Sequence, residues 1–314
     1  MLVAIGACYF DTVLTTSHYP AEDEKLRASS VTRRRGGNCP NTLEVLGQLV
    51  SEDDIEHEFP LELITVLPAR SSQASQRIIS EFSPRVGLEN CVYREDHKEP
   101  ASCYIIRSKA TGSRTIVNYN NLPEATQEEL IERIDLLSPR ASWFHFEGRM
   151  PDLTLKSIRY IRKHLPATKI SVEMERPGRP GLQALAQEAD VVFYARSWAL
   201  GAGHSTAEEC LHAEAALTPT ASLLCCTSGE EGASALQPSD GTFAHAPAHT
   251  TENFQVVDPI GAGDTFIAGM LYSLARRDPD WDLTQKLAFA NRLAGTKVSQ
   301  EGFSGLYRVL ASIV

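Results

Sequence analysis

Apolar and polar positions fall into short blocks of two kinds along this chain. Residues 2–10 form a nearly continuous apolar run, the pattern of a strand buried on both faces. Residues 12–35 are polar and β-prone; from Gly36-Gly37-Asn38 onward, the spacing of Leu43, Leu46 and Leu49 predicts a helix. Residues 51–58 are acidic and read as a surface loop. A strand over 61–67 and a helix over 73–82 follow, and segments 102–106 and 114–119 flank Lys109-Ala110-Thr111-Gly112 as a hairpin. From residue 128 helix and strand alternate: helices over 128–137, 153–164, 182–187 and 207–216, strands over 143–146, 169–174, 191–194 and 222–227. That alternation predicts an α/β fold, with a mostly parallel sheet covered on both faces by helices. Segments 12–35 and 102–119 stand outside it and predict a small β lid on a single domain spanning 1–314. Pro177-Gly178-Arg179-Pro180-Gly181 is linker-like in composition, but the alternation runs through it.

Composition narrows the function classes. A formal charge of −10 argues against non-specific nucleic-acid binding, which draws on basic surface. The triplet Arg33-Arg34-Arg35 reads as a solvated edge or lid segment. Seven cysteines in odd number and scattered spacing suit reduced thiols in an intracellular protein. Neither Cys-x-x-Cys nor His-Glu-x-x-His occurs, so no protein-bound metal site is expected. Ile5-Gly6-Ala7-Cys8 lacks the basic flank and length of a lipoprotein leader, and a buried first strand is the better reading. No apolar run approaches the ~18 residues of a membrane span, and the expectation is a soluble, cytoplasmic protein.

The densest chemistry sits at Val257-Asp258-Pro259-Ile260-Gly261-Ala262-Gly263-Asp264-Thr265-Phe266. A β-like run over 253–257 leads to a glycine turn, an acid, and an apolar helical segment through Met270, Leu271 and Leu274. Such a turn aims backbone N–H groups at one point, where a helix N-terminus favours negative charge. Asp264 brings a carboxylate to the same point, and anion-binding amides beside a base are what phosphoryl transfer to a hydroxyl needs. A plain strand-to-helix turn with a dipole-compensating acid would look the same. Arg35-Gly36-Gly37-Asn38-Cys39-Pro40-Asn41 offers close backbone approach and paired amides to a polyhydroxyl ligand, or simply a loop with Asn38 as N-cap. Asp11, ending the first apolar run, is expected at the carboxyl edge of the sheet, where α/β folds bind ligands; an ordinary turn aspartate is the alternative.

These segments, in this order, resemble the ribokinase-like (PfkB) carbohydrate kinases, and within them the animal-type ketohexokinase branch. The resemblance also rests on Gly112-Ser113-Arg114-Thr115-Ile116-Val117, Trp143-Phe144-His145-Phe146-Glu147-Gly148-Arg149, Ser171-Val172-Glu173-Met174-Glu175-Arg176-Pro177, Glu230-Glu231-Gly232-Ala233 and Leu293-Ala294-Gly295, and covers nearly the whole chain. It implies a three-layer α/β/α sandwich with a small β lid. It implies transfer of the γ-phosphoryl of ATP to the primary hydroxyl of a ketohexose such as fructose. Alternatives are ribose, a sugar acid or a nucleoside as acceptor, or a catalytically silent carbohydrate-binding relative.

Residue by residue, the resemblance assigns Asp264 as general base and the Gly261, Ala262 and Gly263 amides to the transferring phosphate. Asp11, Gly37, Asn38 and Asn41 would hold the sugar, and Arg114 would reach the phosphates of ATP. Thr227, Gly229 and Glu230 would line the nucleotide, with Asn291, Ala294 and Val298 across from them. Mg²⁺ would arrive with ATP, K⁺ is a further possible activator, and a homodimer clasping through the lids is implied. Two departures stand out. Pro259 replaces the family's threonine beside a monovalent-cation loop, and residues 194–198 lack the family's Asn-x-x-Glu pair. No Walker-type Gly-x-x-x-x-Gly-Lys occurs, and Gly201-Ala202-Gly203-His204 lacks the third glycine of a dinucleotide fingerprint.

Overall fold

In the computed structural model, which describes residues 1–52, 58–250 and 254–312, the apolar blocks assemble into a nine-stranded sheet. Its order is Thr242–Ala246, Ala233–Gln237, Leu223–Thr227, Val191–Tyr194, Lys169–Met174, Trp143–Glu147, Leu2–Ile5, Leu61–Ile64, Val86–Gly87. Every neighbouring pair from Leu223–Thr227 to Val86–Gly87 is parallel, and the hairpin Ala233–Gln237 with Thr242–Ala246 adds an antiparallel edge.

Alternation along each strand divides the core in two. Leu2, Ala4, Val191, Phe193, Leu223 and Cys225 face the helices Asn38–Glu52, Ala262–Arg276 and Leu283–Val298. Val3, Ile5, Val192, Tyr194, Leu224 and Cys226 face Gln127–Leu137, Pro151–His164, Leu182–Glu188 and Ala207–Ala215. Buried on both sides, these strands read as continuous apolar runs, and the three layers follow. Helix starts are fixed locally: Thr126 with Glu129 and Asp282 with Gln285 each close a capping box.

A second, four-stranded sheet stands apart, in the order Ser30–Gly36, Tyr9–Thr16, Ser102–Ser108, Arg114–Tyr119. Its inward face carries Asp11, Val13, Cys103 and Ile105, with Val13, Cys103 and Ile105 packing against Ile260. Its outward face exposes Val31, Tyr104, Val117 and Tyr119.

The structure divides two of the expected strands. The run 2–10 breaks at Gly6, where the Ala7 amide turns to Glu147 Oε2 (2.7 Å). A Cβ at Gly6 would come within 2.7 Å of Cys39 Sγ, so only glycine passes there. Residues 61–67 likewise split at Thr65, and Val66–Pro68 pairs with Val92–Arg94 in a small sheet of its own. Over 254–257 no strand forms; the Val257 and Asp258 amides both donate to the Val298 carbonyl, at 2.8 and 3.1 Å. Asn253, the first residue of that expected run, and 53–57 of the expected acidic loop lie outside the described residues. The arginine triplet is only one-third solvated: Arg33 is exposed, but Arg34 is tied to Asp258 and Arg35 is buried. All seven cysteines are buried free thiols.

Candidate active site

The glycine turn before Ala262–Arg276 is shaped by its neighbours. Gly261 has φ +82° and serves as N-cap, and a Cβ there would meet the Phe303 ring at 2.4 Å. Pro259 removes one amide, yet the turn stays fastened, because Ile260 N donates to Asp258 Oδ1 at 3.1 Å. First-turn helix amides have no intrahelical acceptor. A Cβ on Gly263 would touch nothing within 4 Å, so the helix opens on free space.

Asp264 is buried in the first turn of that helix, with Asn41 Nδ2 donating to its Oδ2 at 2.7 Å. The orientation of Asn41 is set from its other end, since Arg35 Nη1 donates to Asn41 Oδ1 at 3.3 Å and leaves only the amide nitrogen for Asp264. Arg35 in turn lies over the Phe82 ring at 4.4 Å and beside Glu44. Burial pushes the Asp264 carboxyl up to about 7; the charges of Glu175 and Glu147 add to this, while Asn41 and Arg35 oppose it. No strong shift is needed for a late proton transfer, yet burial of this carboxyl produces one, and Glu175 and Glu147 on the same carboxyl edge enlarge it.

A further acid on that edge is Glu173, at the end of its strand and 7% exposed. Its Oε1 accepts from Asn38 Nδ2 at 3.0 Å, and its Oε2 is buried with no partner among the described residues. Asn38 Nδ2 also reaches Glu175 Oε2 at 3.4 Å. Asn38 therefore turns to the sheet edge, and its side chain is engaged there. Burial, reinforced by the Asp264 charge, raises the Glu173 pKa well above the ordinary carboxylate range.

Asp11 sits on the second sheet, three residues into Tyr9–Thr16 and not at the end of a core strand. It is buried, and its carboxylate crowds Gly36: a Cβ there would fall 2.3 Å from Asp11 Oδ2. Burial raises its pKa, against the pull of Cys103, Arg34 and Arg35. Gly37 adopts φ +104° with the Ala7 carbonyl 2.2 Å from where a Cβ would be, so residue 37 must be glycine. Gly37, Asn38 and Asn41 thus stand at the start of Asn38–Glu52 and Asp264 at the start of Ala262–Arg276, joined through Asn41, with Asp11 of the second sheet against Gly36. What they present is rich in acceptors, a surface suited to a ligand carrying several O–H donors.

The residues expected along a nucleotide form a second group. Thr227 pairs with Ala233, Ala233 with Ala246, and the Ala246 carbonyl accepts from Asn291 Nδ2 at 2.6 Å, so they adjoin in space. The Asn291 amide nitrogen is shared with the Pro247 carbonyl at 3.1 Å, a tie within the protein. Gly229 (φ +64°) and Glu230 open a short turn and are exposed; Ala294 and Val298 are half-buried on the helix Leu283–Val298. Arg114 is exposed at the start of its strand and lines a cleft with Arg34, Arg107, Asp258 and Pro259.

The sequence assigns no site role to Arg107 or Lys297 and places Arg34 only in a solvated edge or lid segment. Arg34 Nη1 and Lys297 Nζ each bond Asp258 Oδ2 at 2.7 Å, and Arg107 Nη2 donates to the Val257 carbonyl. Arg34 had a signal: alternation along 30–36 puts it on the face opposite Arg33 and Arg35. Lys297 had none, because a lysine in a helix reads as solvated until its neighbours are known.

Known proteins give the same frame. A family profile described as pfkB family carbohydrate kinase matches residues 1–306. The chain belongs to the pfkB family of carbohydrate kinases. It is therefore an ATP-dependent sugar kinase, a phosphotransferase. It is 31% identical to the ketohexokinase of Mus musculus over 313 residues, covering 97% of this chain and 98% of that protein. Among solved structures, ribokinase from Giardia lamblia superposes with TM-score 0.80 at 16% identity, over 100% of this chain and 99% of that one. Ribokinase from Arabidopsis thaliana, solved with ribose and ATP, gives TM-score 0.76 at 17% identity, over 99% and 97%. At such identities these structures speak for the ribokinase-like fold.

Proposed function

We propose that this kinase transfers the γ-phosphoryl of ATP to the primary hydroxyl of a ketohexose such as fructose, with Asp264 as general base. The observation that carries the reading is Asp264 itself: a buried carboxylate at a glycine-opened helix start, oriented through Arg35 and Asn41. In its ionised form it takes the hydroxyl proton as phosphorus–oxygen bonding advances. In this reading the Gly261, Ala262 and Gly263 amides meet the transferring phosphate and offset its charge, the Ala262 amide leaving a long 3.4 Å contact with the Pro259 carbonyl. Asp11, Gly37, Asn38 and Asn41 bound the sugar's place, and the partnerless Glu173 Oε2 supplies a further hydrogen-bonding atom for one of its hydroxyls. The identity with ketohexokinase supports a ketohexose over other sugars.

ATP would run from Arg114 at the phosphates to Thr227, Gly229 and Glu230 at the ribose, with its base against Asn291, Ala294 and Val298. In this reading Mg²⁺ would travel on ATP. Among the described residues no helix is long and apolar enough to cross a membrane. The second sheet serves as a lid in this reading, and its exposed Val31, Tyr104, Val117 and Tyr119 support pairing with a second copy. Gel filtration at assay concentration checks that: a dimer is expected, and a monomer would remove it.

One observation favours a larger acceptor. A cleft lined by Ile64, Val66, Val92, Ala101 and Leu122 includes Glu147, one of the acids acting on Asp264, without including Asp264 itself, and would suit an apolar group such as a nucleobase. ADP release measured with fructose, other ketoses, ribose, sugar acids and nucleosides decides. The highest kcat/KM is expected with a ketohexose; preference for a nucleoside would overturn the acceptor assignment.

A further inference from the structure

The K⁺ that the family resemblance suggests would sit beside Asp258 and Pro259, and the groups found there do not fit it. Lys297 is 0% exposed. Its Nζ bonds the Asp258 backbone carbonyl at 2.9 Å and Asp258 Oδ2 at 2.7 Å, and lies 5.0 Å from the Phe303 ring centroid. The rest of the Asp258 carboxylate is taken: Arg34 Nη1 reaches Oδ2 at 2.7 Å, Ile260 N reaches Oδ1 at 3.1 Å, and Gly302 N reaches Oδ2 at 3.3 Å. At Asp258 the balance is two side-chain cations against one carboxylate; Glu301, which also acts on Lys297, is largely exposed and pairs with Arg107 at 3.2 Å. A third positive charge here would meet two cations already in contact with that carboxylate, which a low-dielectric interior penalises.

We infer that the Lys297 ammonium is a tethered monovalent cation that holds the Asp258–Gly261 turn in place of K⁺, making the kinase independent of added alkali cations. Lys297 is thus a positioning residue. Its ammonium fixes both the carbonyl and the carboxylate of Asp258, Asp258 fixes the Ile260 amide, and the chain enters the Gly261 cap from there. Burial pulls the Lys297 pKa down and the ion pair with Asp258 opposes that pull. On the partner side, burial would raise Asp258, but Arg34 and Lys297 hold it well below the usual carboxylate range, so the aspartate stays ionised. Pro259 agrees with the picture: a turn pinned by an internal cation needs no hydroxyl from residue 259.

The inference rests on kinase activity of this site but not on which sugar is used, so any accepted sugar serves as reporter. For the wild type, replacing tetramethylammonium by K⁺ at constant ionic strength is expected to change kcat by less than about twofold. Activation of about fivefold or more would overturn the inference. In Lys297→Ala, kcat is expected to fall about tenfold or more and to be restored by K⁺, NH₄⁺ or methylammonium. The same cations should raise that variant's thermal midpoint and leave the wild type's unchanged, by mass action on the folded state. Lost activity with no cation rescue in a folded variant would mean a purely structural lysine and would also overturn it. Should Lys297→Ala not fold, the wild-type titration decides alone. If no sugar is phosphorylated, the function reading has failed, and the wild-type midpoint with and without K⁺ still tests the lysine: a rise with K⁺ overturns the inference.

Discussion

Asp258 and Asp264 stand six positions apart in one turn and have opposite surroundings. Asp258 lies between Arg34 and Lys297, its oxygens taken by those cations and by two backbone amides. Its charge is locked. Asp264 has one amide donor, Asn41, and acids at Glu147, Glu173 and Glu175 on the neighbouring sheet edge. Its proton is exchangeable near neutral pH. Both are acids in a glycine-rich turn by sequence; what separates them is the sign of the charges the tertiary fold brings near each. Position in a turn does not make a base; a relieved counter-charge does.

The comparison can be broken first at its fixed end. Asp258→Ala leaves Lys297 buried beside an unpaired Arg34, and we expect a loss of about 3–5 kcal/mol in unfolding free energy by denaturant titration. A loss under about 1 kcal/mol, typical of a surface pair, would mean that the charge is not locked. Next is the support of the movable end. Asn41→Ala removes a hydrogen bond to a charged group, of about 1.5–3 kcal/mol, and should move the rise of kcat/KM upward by roughly one to two pH units. The sign follows because Asn41 holds the Asp264 pKa down and the base acts ionised. An unmoved profile would detach Asn41 from the base.

Stability against pH separates the two carboxylates with the smallest effect. With a folded pKa near 7 and an unfolded value near that of free aspartate, Asp264 binds more protons folded than unfolded between about pH 4 and 7. Its contribution therefore falls as pH rises through that window. Asp258, depressed in the fold, contributes above its unfolded pKa and loses that contribution only as pH drops below it. Asp264→Asn should lessen the decline over that window, of which the raised Glu173, Glu147 and Asp11 keep a share, and raise the thermal midpoint at pH 8, leaving acid unfolding in place. Identical curves for variant and wild type would show that Asp264 is not perturbed.

Much of the frame was legible in the sequence because strand and helix periods write burial directly into residue order. Lys169–Met174 and Val191–Tyr194 end where their apolar runs end. The breaks at Gly6 and Thr65 were not legible, since both depend on distant partners: at Gly6 the Glu147 carboxylate accepts the Ala7 amide, and after Thr65 the chain pairs with Val92–Arg94. At the site, Asp264, Asn41, Asn38 and the glycines carried signals of spacing. The Glu147, Glu173 and Glu175 grouping did not, because parallel register brings Glu147 beside Glu173 across 26 positions of chain. Lys297 and Arg34 converge on Asp258 from 39 and 224 positions away. Long-range electrostatics of this kind arises from topology and leaves no local pattern.

The central claim is that Asp264 is the base of the phosphoryl transfer, and fructose phosphorylation by Asp264→Asn tests it most directly. With folding and ATP binding retained, kcat should fall by roughly 10²–10⁴, the usual contribution of a general base. Turnover within about tenfold of the wild type would contradict the account.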